Sequence, residues 1–115
     1  MGDRANVQFV YEKRDFEEAK KVYFYTHWSG YELPQKVAAA LDRGRDRWDD
    51  ESYLARIVFS EMIRDEINDT TGYGIAPYRN DYNHADVVID MNSRTVNGVS
   101  FEEFIKNPFE AKDGG

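Results

Sequence analysis

The chain contains no cysteine and only two histidines. The first absence excludes a disulfide framework, a thiolate nucleophile and any zinc site built on sulfur. The second argues against a histidine-rich metal site, so neither a metal nor a cofactor is expected. No apolar run approaches the roughly 20 residues a membrane-spanning helix needs, and Met1-Gly2-Asp3-Arg4 lacks the apolar core of a signal peptide. Gly2 follows Met1 as at a myristoylation start, but Asn6 stands where Ser or Thr is required. A cytoplasmic protein with no membrane partner is the expectation. Positive charge is scarce as well: 15 Lys and Arg against 22 Asp and Glu leave a net charge of −7. That argues against non-specific nucleic-acid binding, whose affinity comes from Lys and Arg neutralising phosphates. No Ser sits in a nucleophile-elbow word, and no Gly-rich phosphate loop follows a strand.

What is present suffices for one core. At 115 residues the chain is one domain by size, and its hydrophobic fraction of 41%, with 15% aromatic, supports folding. Residues 1–109 are expected to form the domain and 110–115 a flexible tail. Ala5 to Tyr11 alternates, with Val7, Phe9 and Tyr11 on one side, which is the period of a half-buried strand. A densely charged connection follows from Glu12 to Lys21, with Phe16 its one large apolar group. Val22 to Trp28 reads as a second strand, with Val22, Phe24, Thr26 and Trp28 on one face and Tyr23, Tyr25 and His27 on the other. Strands one and two should pair antiparallel.

Pro34 suits the first helical position, so Ser29 to Leu33 becomes a loop and a helix runs to about Arg43, with Gly44 as its terminator. Asp49 or Asp50 caps a longer helix to about Asn68, carrying Leu54, Ile57, Val58 and Met62. Glu61 falls near the edge of that apolar surface and wants a donor. Gly72 and Gly74 mark a bulge or a close backbone approach beside a third strand, Tyr73 to Tyr78. After the polar loop 79–85, Asp86 to Met91 is a fourth strand, and Asn97-Gly98 signals a hairpin after Arg94-Thr95-Val96. Ser100 and Glu103 form a capping box for a last short helix that ends at Asn107-Pro108. The expected fold is α+β in two layers: an antiparallel sheet of about four strands covered by a helical pair, in the order ββααββα.

Four words stand out: Gly2 to Asn6, Tyr25 to Pro34, Arg47 to Arg56 and Thr70 to Ile75. In them the chain resembles a set of small proteins scattered through phage and microbial genomes. Those proteins open with Gly-Asp-Arg-Ala-Asn and continue with Tyr-Thr-His-Trp…Glu-Leu-Pro, Arg-Trp-x-Asp and Thr-Thr-Gly-Tyr-Gly words. The resemblance spans most of the chain and implies no particular activity.

The residue chemistry suggests a ligand. Guanidinium forks and hydroxyls suit phosphates, and an aromatic face suits a base. The candidate ligand-binding set is Asp3, Arg4, His27, Trp28, Ser29, Arg45, Arg47 and Trp48, with no catalytic residue assigned. The leading expectation is a small non-enzymatic binding protein holding an anionic ligand such as a nucleotide. The alternatives are an acidic module that occupies a basic site on a host protein, and a hydrolase in which His27 shuttles a proton with help from Glu61 or Asp3. Plainer readings stand beside these. Arg43, Arg45 and Arg47 could pair with Asp42, Asp46, Asp49 and Asp50 on an exposed turn, and His27 could be a rim histidine satisfied by a carbonyl.

Overall fold

The computed structural model describes residues 3–14, 17–82 and 84–109. Gly2 of the opening word, Phe16 of the charged connection and the tail 110–115 lie outside the described residues. The elements run β1 (Ala5–Val10), β2 (Lys21–Thr26), α1 (Leu33–Arg43), α2 (Glu51–Met62), β3 (Tyr73–Ala76), β4 (Val87–Asp90), β5 (Thr95–Val96), β6 (Val99–Ser100) and α3 (Phe101–Lys106).

The architecture is α+β, but the sheet has six strands and is mixed, in the order β3-β2-β1-β4-β5-β6. β1 pairs antiparallel with β2, Val7 opposite Phe24 and Phe9 opposite Val22. Its other neighbour is β4, and that pair is parallel, with Val7 opposite Val87 and Phe9 opposite Ile89. The expectation of about four antiparallel strands is therefore corrected in both number and direction. Parallel strands need a crossover. Here the chain between β1 and β4 includes β2, both long helices and β3, and its last part, the β3–β4 link, passes β2 and β1 to reach the far side of β1. That link carries no hydrophobic period and so left no trace of the pairing in the sequence.

Alternation sorts the two faces. Ala5, Val7, Phe9 and Phe24 turn inward onto Val37, Leu41, Leu54, Val58 and Met62 of the helical pair, with Ile89, Phe101 and Phe104 completing the core. Phe9 has no exposed surface, and truncating a phenylalanine so placed costs roughly 3–5 kcal/mol. The opposite face is crossed by the β3–β4 link: Tyr82 packs edge-on against Tyr25 and His27, and the Asn80 carbonyl accepts from Asn6 Nδ2 at 2.7 Å.

Several boundaries moved for local reasons. β2 stops at Thr26 because its Oγ1 accepts the N–H groups of Ser29 (3.1 Å) and Trp28 (3.4 Å), turning the chain out of the sheet. Gly30–Glu32 is a 3₁₀ turn leading straight into α1, which begins one residue before Pro34. A second 3₁₀ turn occupies Arg45–Arg47. α2 is capped by Asp50, whose side chain accepts from Tyr53 N–H, and ends at Met62, six residues short of the expected Asn68, as Ile63 leaves helical geometry. At the hairpin, Asn97 (φ 49°) and Gly98 (φ 87°) both adopt left-handed conformations, the geometry an Asn-Gly turn of this type demands. Ser100 caps α3 by accepting from Glu103 N–H.

Candidate functional site at one end of the sheet

β1 begins, and β2 ends, at the same edge of the molecule, since Ala5 lies opposite Thr26. The residues just outside these termini, Asp3-Arg4 and His27 to Gly30, therefore meet in space. The Gly30 N–H donates to the Asp3 carbonyl at 2.8 Å, and the Tyr31 N–H donates to Asp3 Oδ2 at 2.7 Å. The β3–β4 link delivers two further groups here, Tyr82 and His84. His84 Nε2 is bonded to Asp3 Oδ1. The Tyr31 amide first, and His84 after it, hold the Asp3 carboxyl below its ordinary range.

Gly30 is glycine because of this convergence. A Cβ there would lie 2.8 Å from both the Asp3 carbonyl oxygen and His84 Cδ2. The glycines of the Thr-Thr-Gly-Tyr-Gly word have the same logic. The Trp28 ring covers Gly72 and the Tyr25 ring covers Gly74, each so closely that a Cβ would stand little more than 2 Å from ring atoms. They seat aromatic rings and do not mark a ligand loop.

The candidate residues fall into two groups. Asp3, Arg4, His27, Trp28 and Ser29 surround the strand ends. Arg4 is exposed, with its guanidinium 5.9 Å from the centroid of the Tyr82 ring. His27 stacks on Tyr25 with centroids 5.3 Å apart, and its Nε2 faces the Tyr82 hydroxyl at 3.4 Å. Ser29 is buried, sharing a 2.9 Å hydrogen bond with the Tyr73 hydroxyl. Trp28 sits edge-on to Tyr73. Neither carboxylate considered as a helper for His27 is bonded to it: Asp3 serves His84, and Glu61 serves Arg43 and Arg64.

Arg45, Arg47 and Trp48 lie at the far end of α1. That helix has eleven residues, which at the helical rise separates the two groups by about 16 Å. α3 runs back beside α1, its Glu102 at the arginine corner, and the chain then brings Phe109 against Tyr31. Arg45 forks onto Glu102 at 2.7 and 3.1 Å and also donates to Asp42 at 2.8 Å. Trp48 Nε1–H donates to the Leu41 carbonyl at 2.9 Å, and its ring meets Phe101 edge-on. Arg47 lies over Tyr53 at 4.9 Å. Arg43 binds α1 to α2 through Glu61, Ser60 and the Ile57 carbonyl. The corner serves to join helices, and the structure does not bring it to the strand-end group.

Beside His84 opens a cleft of about 200 Å³ between the start of α1, the start of β4 and the end of α3, with Leu33, Val87 and Phe104 among its walls. Two larger hollows, about 380 and 400 Å³, flank the β1–β2 connection. Their walls are largely exposed Glu, Lys and Arg side chains, some already paired, as Arg14 is with Glu51 at 3.1 Å. A wall of exposed, mutually paired charges offers little preorganisation, so the strand-end group with its cleft is the stronger candidate.

Tyr82 and His84 had no part in the sequence-based set. Both sit in a polar stretch with no motif, and His84 is 81 positions from the aspartate it contacts. Loop length gave no signal either, since the link from Ala76 to Val87 is no longer than ordinary connections can be. Among the described residues no group of three or more His, Asp or Glu side chains is placed to hold a metal, and no helix is long and apolar enough to cross a membrane. No family model, curated protein or solved structure matches the chain.

Proposed function

We propose that this chain is a small non-enzymatic binding protein that holds a planar anionic ligand, such as a nucleotide, at the strand-end site. Arg4 is the residue for the phosphate, and the Tyr25, His27 and Tyr82 rings are the faces for the base. The observation that carries this reading is Arg4 itself. It is exposed and sits against an aromatic ring with no ion pair among the described residues. Arg47 over Tyr53 shares these features, but the ring beside Arg4, Tyr82, packs in turn on Tyr25 and His27, whereas Arg14, Arg43, Arg45, Arg64, Arg79 and Arg94 are each tied to a carboxylate. The neighbouring Asp3 does not neutralise it, being engaged by His84 and the Tyr31 amide. A phage or mobile-element origin, suggested by the four sequence words, belongs to the same reading.

Thermal melting against a panel of nucleoside phosphates, cyclic dinucleotides included, tests it. A bound nucleotide raises the melting temperature by mass action. Arg4→Ala and Tyr82→Ala should abolish the rise, and Arg47→Ala should leave it intact. A flat response across the panel would refute the reading.

One observation favours a second reading, an acidic module docking on a basic site of a host protein. With 22 Asp and Glu against 15 Lys and Arg, the net charge of −7 is a surplus of carboxylates that the internal ion pairs do not remove. Capture of a host protein that weakens sharply as salt rises would support it, and capture insensitive to salt would count against it.

A further inference from the structure

The sheet ends on β3, and that edge is open. β3 has β2 as its one strand neighbour, with Tyr25 opposite Gly74 and Tyr23 opposite Ala76. The His27 N–H donates to the Gly72 carbonyl at 2.8 Å, which sets the alternation of the antiparallel ladder. Gly72, Gly74 and Ala76 turn their backbone groups to β2, and Tyr73 and Ile75 turn theirs outward. Among the described residues, the N–H and C=O groups of Tyr73 and Ile75 have no hydrogen-bond partner. The Ile75 side chain shares a face with Phe24, its register partner in the core, yet it is 58% exposed, so the helical layer does not cover it.

Proteins blunt such edges with charge, with short strands or by turning the chain out of the plane. The opposite edge uses the last two: β6 has two residues, and its last, Ser100, already caps α3. β3 is Tyr-Gly-Ile-Ala and carries no charge. Pro77, which has no N–H to give, stops pairing beyond it.

This edge is complementary to itself. Gly72, at φ 98°, and Pro77 bound its regular part. About a twofold axis normal to the sheet, the antiparallel register confined to that part sets Gly74 against Gly74 of a second copy. Each Tyr73 then faces the other copy's Ile75, and all the outward N–H and C=O groups of both strands are paired. Each exposed Ile75 meets a Tyr73 ring, the aromatic and β-branched pairing that stabilises sheets. The chain thus carries its own complement, and no charged side chain on β3 marks the edge for a partner of other chemistry.

We infer that β3 is a homodimerisation edge through which two copies join their sheets in the Gly74-centred register. The dimer is weak, since four residues fall short of the roughly 20–30 a side of a stable interface. Each copy carries a net charge of −7, so association strengthens as salt screens the repulsion.

Sedimentation equilibrium of the intact chain from about 10 µM to about 1 mM, with amide hydrogen exchange at both limits, tests this. The mass should rise toward that of a dimer, and further at about 0.5 M NaCl than at about 0.05 M. Exchange at Tyr73 and Ile75 should slow with concentration, while Gly74, already bonded to β2, stays unchanged. Ile75→Lys should weaken association about tenfold, as two cross-strand pairs are lost per dimer. Tyr53→Lys, on α2 beside Arg47, exchanges another exposed apolar side chain for the same charge and should leave association intact. If Ile75→Lys does not fold, the exchange pattern of the unaltered chain still decides. A monomer mass over the whole range would overturn the inference and leave the edge to a strand of another protein. A dimer that dissociates as salt rises, that leaves Tyr73 and Ile75 exchanging as in the monomer, or that Ile75→Lys forms as tightly would overturn it as well.

Discussion

Gly30→Ala is the substitution that probes the strand-end site most selectively. The added Cβ would stand 2.8 Å from the Asp3 carbonyl oxygen, 2.8 Å from His84 Cδ2 and 3.1 Å from the Asp3 carbonyl carbon. Two of these neighbours are backbone atoms, so relief requires the N-terminal segment to move away from the Gly30-Tyr31 turn. That movement stretches the Gly30 N–H to Asp3 carbonyl bond and the Tyr31 N–H to Asp3 carboxylate bond, 2.8 and 2.7 Å. Overpacking of this kind costs roughly 1–3 kcal/mol, against which the lower entropy of the unfolded alanine chain returns about 0.4–1 kcal/mol. The net spans about 0–2.6 kcal/mol and centres on about 1.3 kcal/mol of destabilisation, a fall in melting temperature of roughly 4–8 °C for a domain of this size. Gly98→Ala is the control. Nothing lies within 4 Å of its Cβ, but its φ of +87° is strained for alanine, so it should cost about 1 kcal/mol without touching the site. The assay is thermal melting combined with the NMR resonances of the His84 ring. Gly30→Ala should lower stability and move His84, whereas Gly98→Ala should lower stability alone. A Gly30→Ala protein as stable as the parent, with His84 unmoved, would refute the reasoning.

Three further outcomes follow from the same geometry. Asn6 is fully buried and donates to the Asn80 carbonyl and Asp86, so Asn6→Asp sets a carboxyl among acceptors. Its pKa rises, by about 3 units for a buried group, and the cost grows from little near pH 4 to about 4 kcal/mol above the raised value; urea unfolding at pH 4 and pH 8 reads the difference, and equal stability losses would contradict it. Asp3 has a lowered pKa, the Tyr31 amide contributing most and His84 next. Its contribution is therefore complete above the ordinary carboxylate value near 4 and disappears as pH falls through the lowered one. The melting-temperature gap between the parent and Asp3→Asn should accordingly narrow from pH 5 to pH 2, and a constant gap would show that the hydrogen bonds do no electrostatic work. Arg45→Ala breaks the fork onto Glu102, but both side chains are about half exposed and solvent-screened, so urea unfolding should show little loss of stability, and nucleotide-induced stabilisation should be unchanged.

Local periodicity and local chemistry carried much of this fold. The inward direction of Val7 and Phe9, the Asn97-Gly98 turn and the Ser100 cap are each written within a few residues, and each reappears in the structure. The half-buried character expected of β1 does not, because Asn6 and Val10 on its other face are buried too. The donor that Glu61 needed is there too, as Arg43 and Arg64, which together hold its carboxyl below the ordinary range, Arg64 contributing most. Long-range pairing was not legible. The parallel contact of β1 with β4 depends on a link whose polar residues have no period, and whose path over the open face is fixed by pairs such as Asn6 with Asn80, 74 positions apart. The candidate site was legible for the residues that abut strand termini, since a hairpin returns the start of β1 and the end of β2 to one place. The arginine corner was grouped with them on residue type alone, and the length of α1 separates the two. His84 completes the arrangement around Asp3 from a stretch that no sequence pattern distinguishes.

The central claim is that ligand recognition belongs to the strand-end group and not to the arginine corner. An amide and side-chain NMR titration, with whichever nucleotide gives the largest melting shift, tests it most directly. The account predicts saturable shifts clustered on Arg4, His27, Tyr82 and His84, with Arg45, Arg47 and Trp48 silent. Shifts clustered on Arg45, Arg47 and Trp48, with the strand-end residues silent, would contradict it.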